Sequence, residues 1–180
     1  MLDDLSLHIL DIAENGVNAG AGRVTVEIDH DGDLLRLIVS DNGRGMDEET
    51  VKSVVNPFYT TRTERRVGLG LPFLKQLSEL CEGDFSVVSA PGEGTEVTAS
   101  FIMTSVDAPP MGDIPSTLFT LFLAYPGVTW EYVHRRNGKE FILNSDELKE
   151  ALGGGNPFAD PSLSVAIKEF IGTNLDGLYE

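Results

Sequence analysis

RVTVEIDH (residues 23–30), DGD (31–33) and LLRLIVS (34–40), followed at once by Asp41-Asn42-Gly43-Arg44-Gly45-Met46, form the stretch from which the fold is read. Apolar and polar residues alternate in both arms, which puts Val24, Val26 and Ile28 on one face of a strand and Leu35, Leu37 and Val39 on one face of the next. The glycine break between the arms predicts a hairpin. The chain then leaves the second strand through a loop with two glycines one residue apart.

Residues 5–18 precede this pair and carry Leu5, Ile9, Ile12 and Ala13 at helical spacing, after Asp3 and Asp4, acids suited to a helix start. Asp47-Glu48-Glu49 opens a short helix to Val55, its acids at the positive end. Residues 56–67 show no sustained period and read as a loop. Gly68-Leu69-Gly70-Leu71 leads into a helix reaching about Cys81, with Leu71, Leu74, Leu77 and Leu80 along it. Residues 84–90 and 95–102 make a second hairpin around Pro91-Gly92-Glu93-Gly94. Helix, two strands, helix, loop, helix, two strands is an α+β order: a two-layer α/β sandwich with helices on one face of the sheet.

Three prolines and a glycine between positions 104 and 115 mark a change of composition. The chain therefore divides into a domain over 1–103, a linker over 104–112 and a small α/β extension over 113–180. The extension reads as a helix begun by Asp113, a hairpin turning at Asn137-Gly138, a helix begun at Ser145 and stopped by Gly153-Gly154-Gly155, and a last helix from Pro161 to about residue 172. Its apolar residues, among them Phe122 and Trp130, are expected to cover one face of the sheet.

Lys and Arg number 13 against 29 Asp and Glu in 180 residues, a formal charge of −16. A chain of this length buries roughly two-thirds of its unfolded surface without a disulfide or metal. The single Cys81 excludes a disulfide framework and reads as a core residue. The charge argues against nucleic acid or an anionic membrane as partner, since both call for a basic surface. Asp3 and Asp4 stand where a secretory signal carries Lys or Arg, and no apolar run approaches the roughly 18 residues of a membrane span. A cytoplasmic, reduced protein is expected.

Three segments carry chemistry. In the first helix Asp11, Asn15 and Asn18 form a polar stripe: an amide oxygen can hold a hard cation and a carboxylate can orient a water, although the same stripe also describes a solvated helix face. In residues 41–46 the glycines let backbone approach a planar ligand and Asp41 can accept from an exocyclic amine; a simple glycine turn would look the same. In residues 66–72, Arg66-Val67-Gly68-Leu69-Gly70-Leu71-Pro72 offers backbone amides at a helix start, a seat for phosphate oxygens, just after Arg62 and Arg65. A mobile charged loop is the competing reading there.

In this order the segments resemble the GHKL superfamily of ATPases, which includes DNA gyrase, heat-shock chaperone ATPases, mismatch-repair ATPases and histidine kinases. Residues 11–15, continuing to Ala19-Gly20-Ala21, resemble its N box, and residues 41–46 its first glycine box. Pro57-Phe58-Tyr59-Thr60-Thr61-Arg62 and Gly68-Leu69-Gly70-Leu71 are similar to the lid and second glycine box of histidine kinases, and Gly92-Glu93-Gly94-Thr95 to the last glycine box. The likeness covers about residues 5–103. It implies a Bergerat-type ATP-binding fold with a mixed sheet, and ATP and Mg²⁺ as ligands.

Residue by residue, the resemblance implies that Asn15 ligates Mg²⁺, with Asn18 further along the same stripe. Asp41 would accept from the adenine amino group, with Gly43, Gly45, Met46 and Thr95 shaping that end. Gly68, Leu69, Gly70 and Leu71 would face the phosphates, with Thr61 and Arg62 from the lid near the outer ones. Asp11 would be the catalytic residue, standing where hydrolysing members have Glu. Its carboxylate is one methylene nearer the backbone, and a misplacement of about 1 Å can lower a rate on the order of a hundredfold.

His8, one turn from Asp11, reads as a surface or capping pair, and His30 and His134 read as solvated; none is assigned a catalytic role. Two functions are expected: a regulatory protein kinase or slow ATPase working on or with a protein partner, or an ATP-gated binding module without turnover. A homodimer is compatible with either. A full sensor kinase is disfavoured by the lack of a phosphoacceptor hairpin or membrane span in this sequence, and a mismatch-repair or topoisomerase subunit by the lack of a basic surface.

Overall fold

Antiparallel pairing of β1 (Arg23–Asp31) with β2 (Leu34–Asp41) sets Val24 opposite Asp41 and Ile28 opposite Leu37, the hairpin expected from the alternation. The computed structural model describes residues 4–56, 58 and 70–180. The lid and the start of the second glycine box, with Thr61, Arg62, Gly68 and Leu69, lie outside the described residues.

On one side of the hairpin, β4 (Gly94–Ile102) pairs antiparallel with β2, and β3 (Phe85–Ala90) pairs antiparallel with β4. On the other, β5 (Thr129–Arg136) runs parallel to β1, and β6 (Lys139–Asn144) is antiparallel to β5. The result is one mixed six-stranded sheet in the order β3-β4-β2-β1-β5-β6. Residues 113–180 thus continue the sheet at its β1 edge.

The helices are α1 (Leu5–Asn18), α2 (Glu48–Val54), α3 (Gly70–Leu80), α4 (Ile114–Ala124), α5 (Ser145–Ala151) and α6 (Pro161–Tyr179). Side chains of Asp4, Asp47 and Asp113 accept from the amides of Leu7, Thr50 and Ser116, capping α1, α2 and α4. Alternation buries Val24, Val26, Ile28, Leu35, Leu37, Val39, Trp130 and Tyr132 on one face, and α1, α3, α4 and α6 cover it with one continuous core. Phe122, Phe158 and Trp130 form an aromatic group there, with Phe122 and Phe158 centroids 5.2 Å apart. The opposite face carries charge, such as Arg135 bonded to Glu27 and Glu140.

Along α3, Leu71 and Leu74 are buried but Leu80 is 54% exposed, because a three-residue spacing drifts around a 3.6-residue turn; Ser78 and Cys81 complete the buried face. The last helix runs to Tyr179, past the expected stop near residue 172. Gly172 is an interior helical residue, and burial of Ile171, Leu175 and Leu178 carries the helix through it.

His134 departs most from its expected place. It is 1% exposed, hydrogen-bonded through Nδ1 to the Tyr132 hydroxyl (2.8 Å) and through Nε2 to the Tyr179 hydroxyl (3.1 Å). Tyr179 in turn meets His30 Nδ1 at 3.3 Å, and Arg136 donates to that atom at 2.9 Å while its guanidinium stacks 3.9 Å from the Tyr179 ring centre. His8 is likewise buried. Burial holds His134 down at about 4, with His30 and Arg136 pushing the same way.

Because both parts of the chain share one core, urea unfolding followed by the single Trp130 and by far-UV circular dichroism is expected to give one coincident transition. His134 titrates near 6.5 when unfolded and near 4 when folded, so unfolding takes up a proton between those values. Stability from this group is complete above pH 6.5 and falls with decreasing pH by about 1.4 kcal/mol per unit toward pH 4. Stability measured from pH 7 to 5 should fall less steeply in His134→Phe; an equal slope in both proteins would rule this out.

Candidate functional site

α1 gathers the site. Its helical turn sets Asp11 and Asn15 on one flank, about 40° apart, and turns Gly16 about 140° round from Asp11; the five rises from residue 11 to 16 span about 7.5 Å. At the far end of this stretch the backbone of Gly16 lies against the side chain at the end of β2: a Cβ on residue 16 would stand 2.8 Å from Asp41 Cβ and 3.1 Å from its Oδ2. At the near end, the first residue of α3 adjoins Asp11; a Cβ on Gly70 would stand 3.4 Å from Asp11 Cβ and 3.6 Å from its Oδ2. The N-box stripe, the Asp41 loop and the start of the α3 helix are therefore neighbours.

Asp41 is half-buried, and its Oδ1 accepts from the Gly43 amide at 2.8 Å. Burial pushes its carboxyl up from the ordinary aspartate value, partly offset by hydrogen bonds from the Gly43 and Thr95 amides. A carboxylate offers about four lone-pair positions, so acceptor capacity remains for a ligand. Pairing sets Asp41, Thr95 and Ser89 abreast on β2, β4 and β3. Thr95 Oγ1 and Ser89 Oγ are 2.8 Å apart, Ser89 donates to the Gly94 carbonyl at 2.9 Å, and the Met46 amide donates to Ser89 at 2.8 Å.

The loop from 41 to 46 is held from both sides. Arg44 donates from its amide to the Ala19 carbonyl at the end of α1, and its own carbonyl accepts from Gly92 in the β3–β4 turn. Gly45 adopts φ +69° with its Cβ position overlapping the Ala90 carbonyl, so no other residue fits there. Asn42 Oδ1 accepts from the Gly22 and Arg23 amides, 2.9 Å each, fastening the entry to β1.

Of the residues expected in the site, Asp11 and Asn15 lie on α1, Asp41 ends β2, Gly43, Gly45 and Met46 form the loop after it, Thr95 stands near the start of β4, and Gly70 opens α3 beside Asp11. Leu71 points into the core, so only its backbone is available, and Asn18 is exposed at the end of α1, its carbonyl 3.5 Å from an Arg44 guanidinium nitrogen. Gly16, Asn42 and Ser89 were missed. Their partners are 25, 20 and 43 residues away in sequence respectively, except that Ser89 also bonds nearby Gly94 and Thr95. The one available signal was Gly16 itself, a glycine inside a helical pattern. From the extension, the Tyr125 hydroxyl donates to Glu14 Oε1 at 3.0 Å, next to Asn15; burial and then this carboxylate raise the Tyr125 hydroxyl above its usual value.

The chain belongs to the family described as Histidine kinase-, DNA gyrase B-, and HSP90-like ATPase, which it matches over residues 2–105. It is 37% identical over 114 residues to the sensor protein kinase FleS of Pseudomonas aeruginosa, covering 62% of this chain and 28% of FleS. To the sensor histidine kinase YxdK of Bacillus subtilis it is 32% identical over 105 residues, covering 54% of this chain and 32% of YxdK. The chain thus spans about a third or less of these relatives. Among solved structures, the N-terminal domain of a DNA repair protein superposes with a TM-score of 0.58, covering 78% of this chain and 52% of that one; at 15% identity the likeness is one of fold.

Gly to Ala inside a helix ordinarily stabilises by about 1 kcal/mol. At Gly16 the added methyl would press on Asp41, so Gly16→Ala is expected to destabilise by roughly 1–3 kcal/mol instead. Urea denaturation measures it, and a gain in stability would show that α1 is not held against Asp41.

Proposed function

We propose that the chain binds Mg-ATP along this flank of α1 and is a cytoplasmic regulatory protein that passes the terminal phosphate to a hydroxyl of a protein partner or, slowly, to water. The observation that carries the reading is the meeting of Asp41, Asn15 and the Asp11–Gly70 pair around one helix. In it a half-buried acceptor for an amine, an amide oxygen for a hard cation and a helix start for phosphate are set out in sequence.

In this reading Asp41 accepts from the adenine amino group, and Gly43, Gly45, Met46 and Thr95 fix that end of the ligand. Asn15 holds Mg²⁺ through its amide oxygen; the ion, when bound, neutralises charge on the phosphate oxygens. The Gly70 and Leu71 amides face the phosphates, joined by Thr61, Arg62, Gly68 and Leu69 of the segment outside the described residues. Asp11 takes the proton of the attacking hydroxyl or water as the new oxygen–phosphorus bond forms and the bond to the bridging oxygen breaks. A second reading, an ATP-gated protein-binding module without turnover, is favoured by one observation: Asp11 supplies a carboxylate a methylene shorter than Glu.

Calorimetry is expected to give a micromolar to millimolar Kd for Mg-ATP, weakened at least tenfold in Asp41→Asn, while Asn15→Ala should lose the Mg²⁺ dependence of affinity with the fold retained. No binding to the wild type would refute the nucleotide reading. Labelled ATP incubated with the protein and a native lysate separates the functions: a labelled partner band supports kinase activity, phosphate release supports an ATPase, and neither supports gating. If length at position 11 limits turnover, Asp11→Glu should raise phosphate release by tenfold or more.

A further inference from the structure

A second recess opens at the end of the sheet opposite Asp41. It measures about 680 Å³, within the range of small-molecule pockets, and lies between the 103–115 segment, the last turns of α6 and the ends of β1 and β5. Met103, Met111 and Leu175 give it apolar walls, and Tyr179 and His134 reach it with the hydrogen-bonded pair described above.

Two further features shape this cleft. Gly172 lines it from the interior of α6, where glycine is the poorest helix former after proline. Packing does not demand a glycine there: φ is not positive, and a Cβ would meet only Pro115 Cγ, at an ordinary 3.7 Å. What the missing side chain leaves is space. At the mouth stand Asp176 and Glu180, both exposed and, among the described residues, neither in an ion pair.

The local field favours a cation. The two carboxylates coincide with the C-terminal, negative end of the α6 dipole, in a chain of net charge −16. Two basic residues of this end, Arg136 and Lys139, keep their positive charge but do not line the recess: Arg136 stacks on Tyr179 and donates to His30, and Lys139 donates to the Gly177 carbonyl at 3.0 Å. His134 carries no charge at neutral pH to oppose a cation.

We infer that this cleft binds a small amphipathic amine, with its apolar body between Met103, Met111 and Leu175 and its ammonium group at Asp176 and Glu180. The site is separate from the nucleotide site and does not depend on that reading.

The test uses three probes of one shape, 4-phenylbutylamine, 4-phenylbutanol and 4-phenylbutyrate, titrated at pH 7 into ¹⁵N-labelled protein without nucleotide. The amine is expected to bind with a Kd in the millimolar range or tighter, as its size allows, and to shift the amides of Met111, Gly172 and Leu175. It should bind at least tenfold more tightly than the alcohol, and the carboxylate should bind most weakly. Gly172→Leu should abolish amine binding. Asp176→Asn combined with Glu180→Gln, at two exposed positions that leave the core untouched, should bring the amine down to the affinity of the alcohol. Equal affinity for the three probes, shifts elsewhere in the protein, or an unchanged amine preference in the double variant would overturn the proposal.

Discussion

The site depends on how closely α1 can lie on the end of β2. With no side chain at Gly16, helix backbone and the Asp41 carboxylate come within van der Waals range, and one helix joins the two parts of the site, seating Asp41 at Gly16 and adjoining the start of α3 at Asp11. That approach also dehydrates Asp41, which is why its carboxyl is pushed upward even though two amides favour its charged form. A bulkier residue would tilt the helix and separate the two ends of the site.

Much of the remaining structure holds α1 in that position. α4 lies beside it, with Thr117 Oγ1 donating to the Ser6 carbonyl at 3.5 Å near one end and Tyr125 to Glu14 at 3.0 Å near the other. α4 is in turn fixed by the aromatic group of Phe122, Phe158 and Trp130. Fully burying such side chains contributes roughly 1.5–3 kcal/mol each, against about 0–1 kcal/mol for exposed ion pairs like those of Arg135. Most of what the extension contributes to placing the site therefore comes from apolar side chains remote from it.

What was legible in the sequence was local. Alternation gave β1 and β2, the aspartates at 4, 47 and 113 announced their helices through bonds to amides three residues on, and Asn137-Gly138 marked the β5–β6 turn. The motif residues on α1 and in the 41–46 loop are near one another because ordered elements put them there. What the sequence hid was long-range. Nothing around His134 reveals that Tyr179 would close over it, so Arg135 and Arg136 nearby suggested solvent. The last helix was expected to stop near residue 172, and only the packing of Ile171, Leu175 and Leu178 shows that it continues. Asn42, read as part of a glycine turn, holds the entry to β1 through two amides that no spacing rule connects to it.

The 104–112 segment changes meaning most. Its composition marks a linker, yet its Pro110 and Met111 carbonyls accept from the Leu5 and Ser6 amides, two of the donors that a helix start leaves without partners inside the helix. Gly112, at φ +76°, fits where any Cβ would overlap Asp4 and Ser6, directly over the cap of α1. Prolines are suited to this role because they are rigid and their carbonyls remain free to accept. The segment that separates the two parts of the chain by composition joins them mechanically: it ends at α4, begins at β4, and grips the N-terminus of the helix whose other end forms the site.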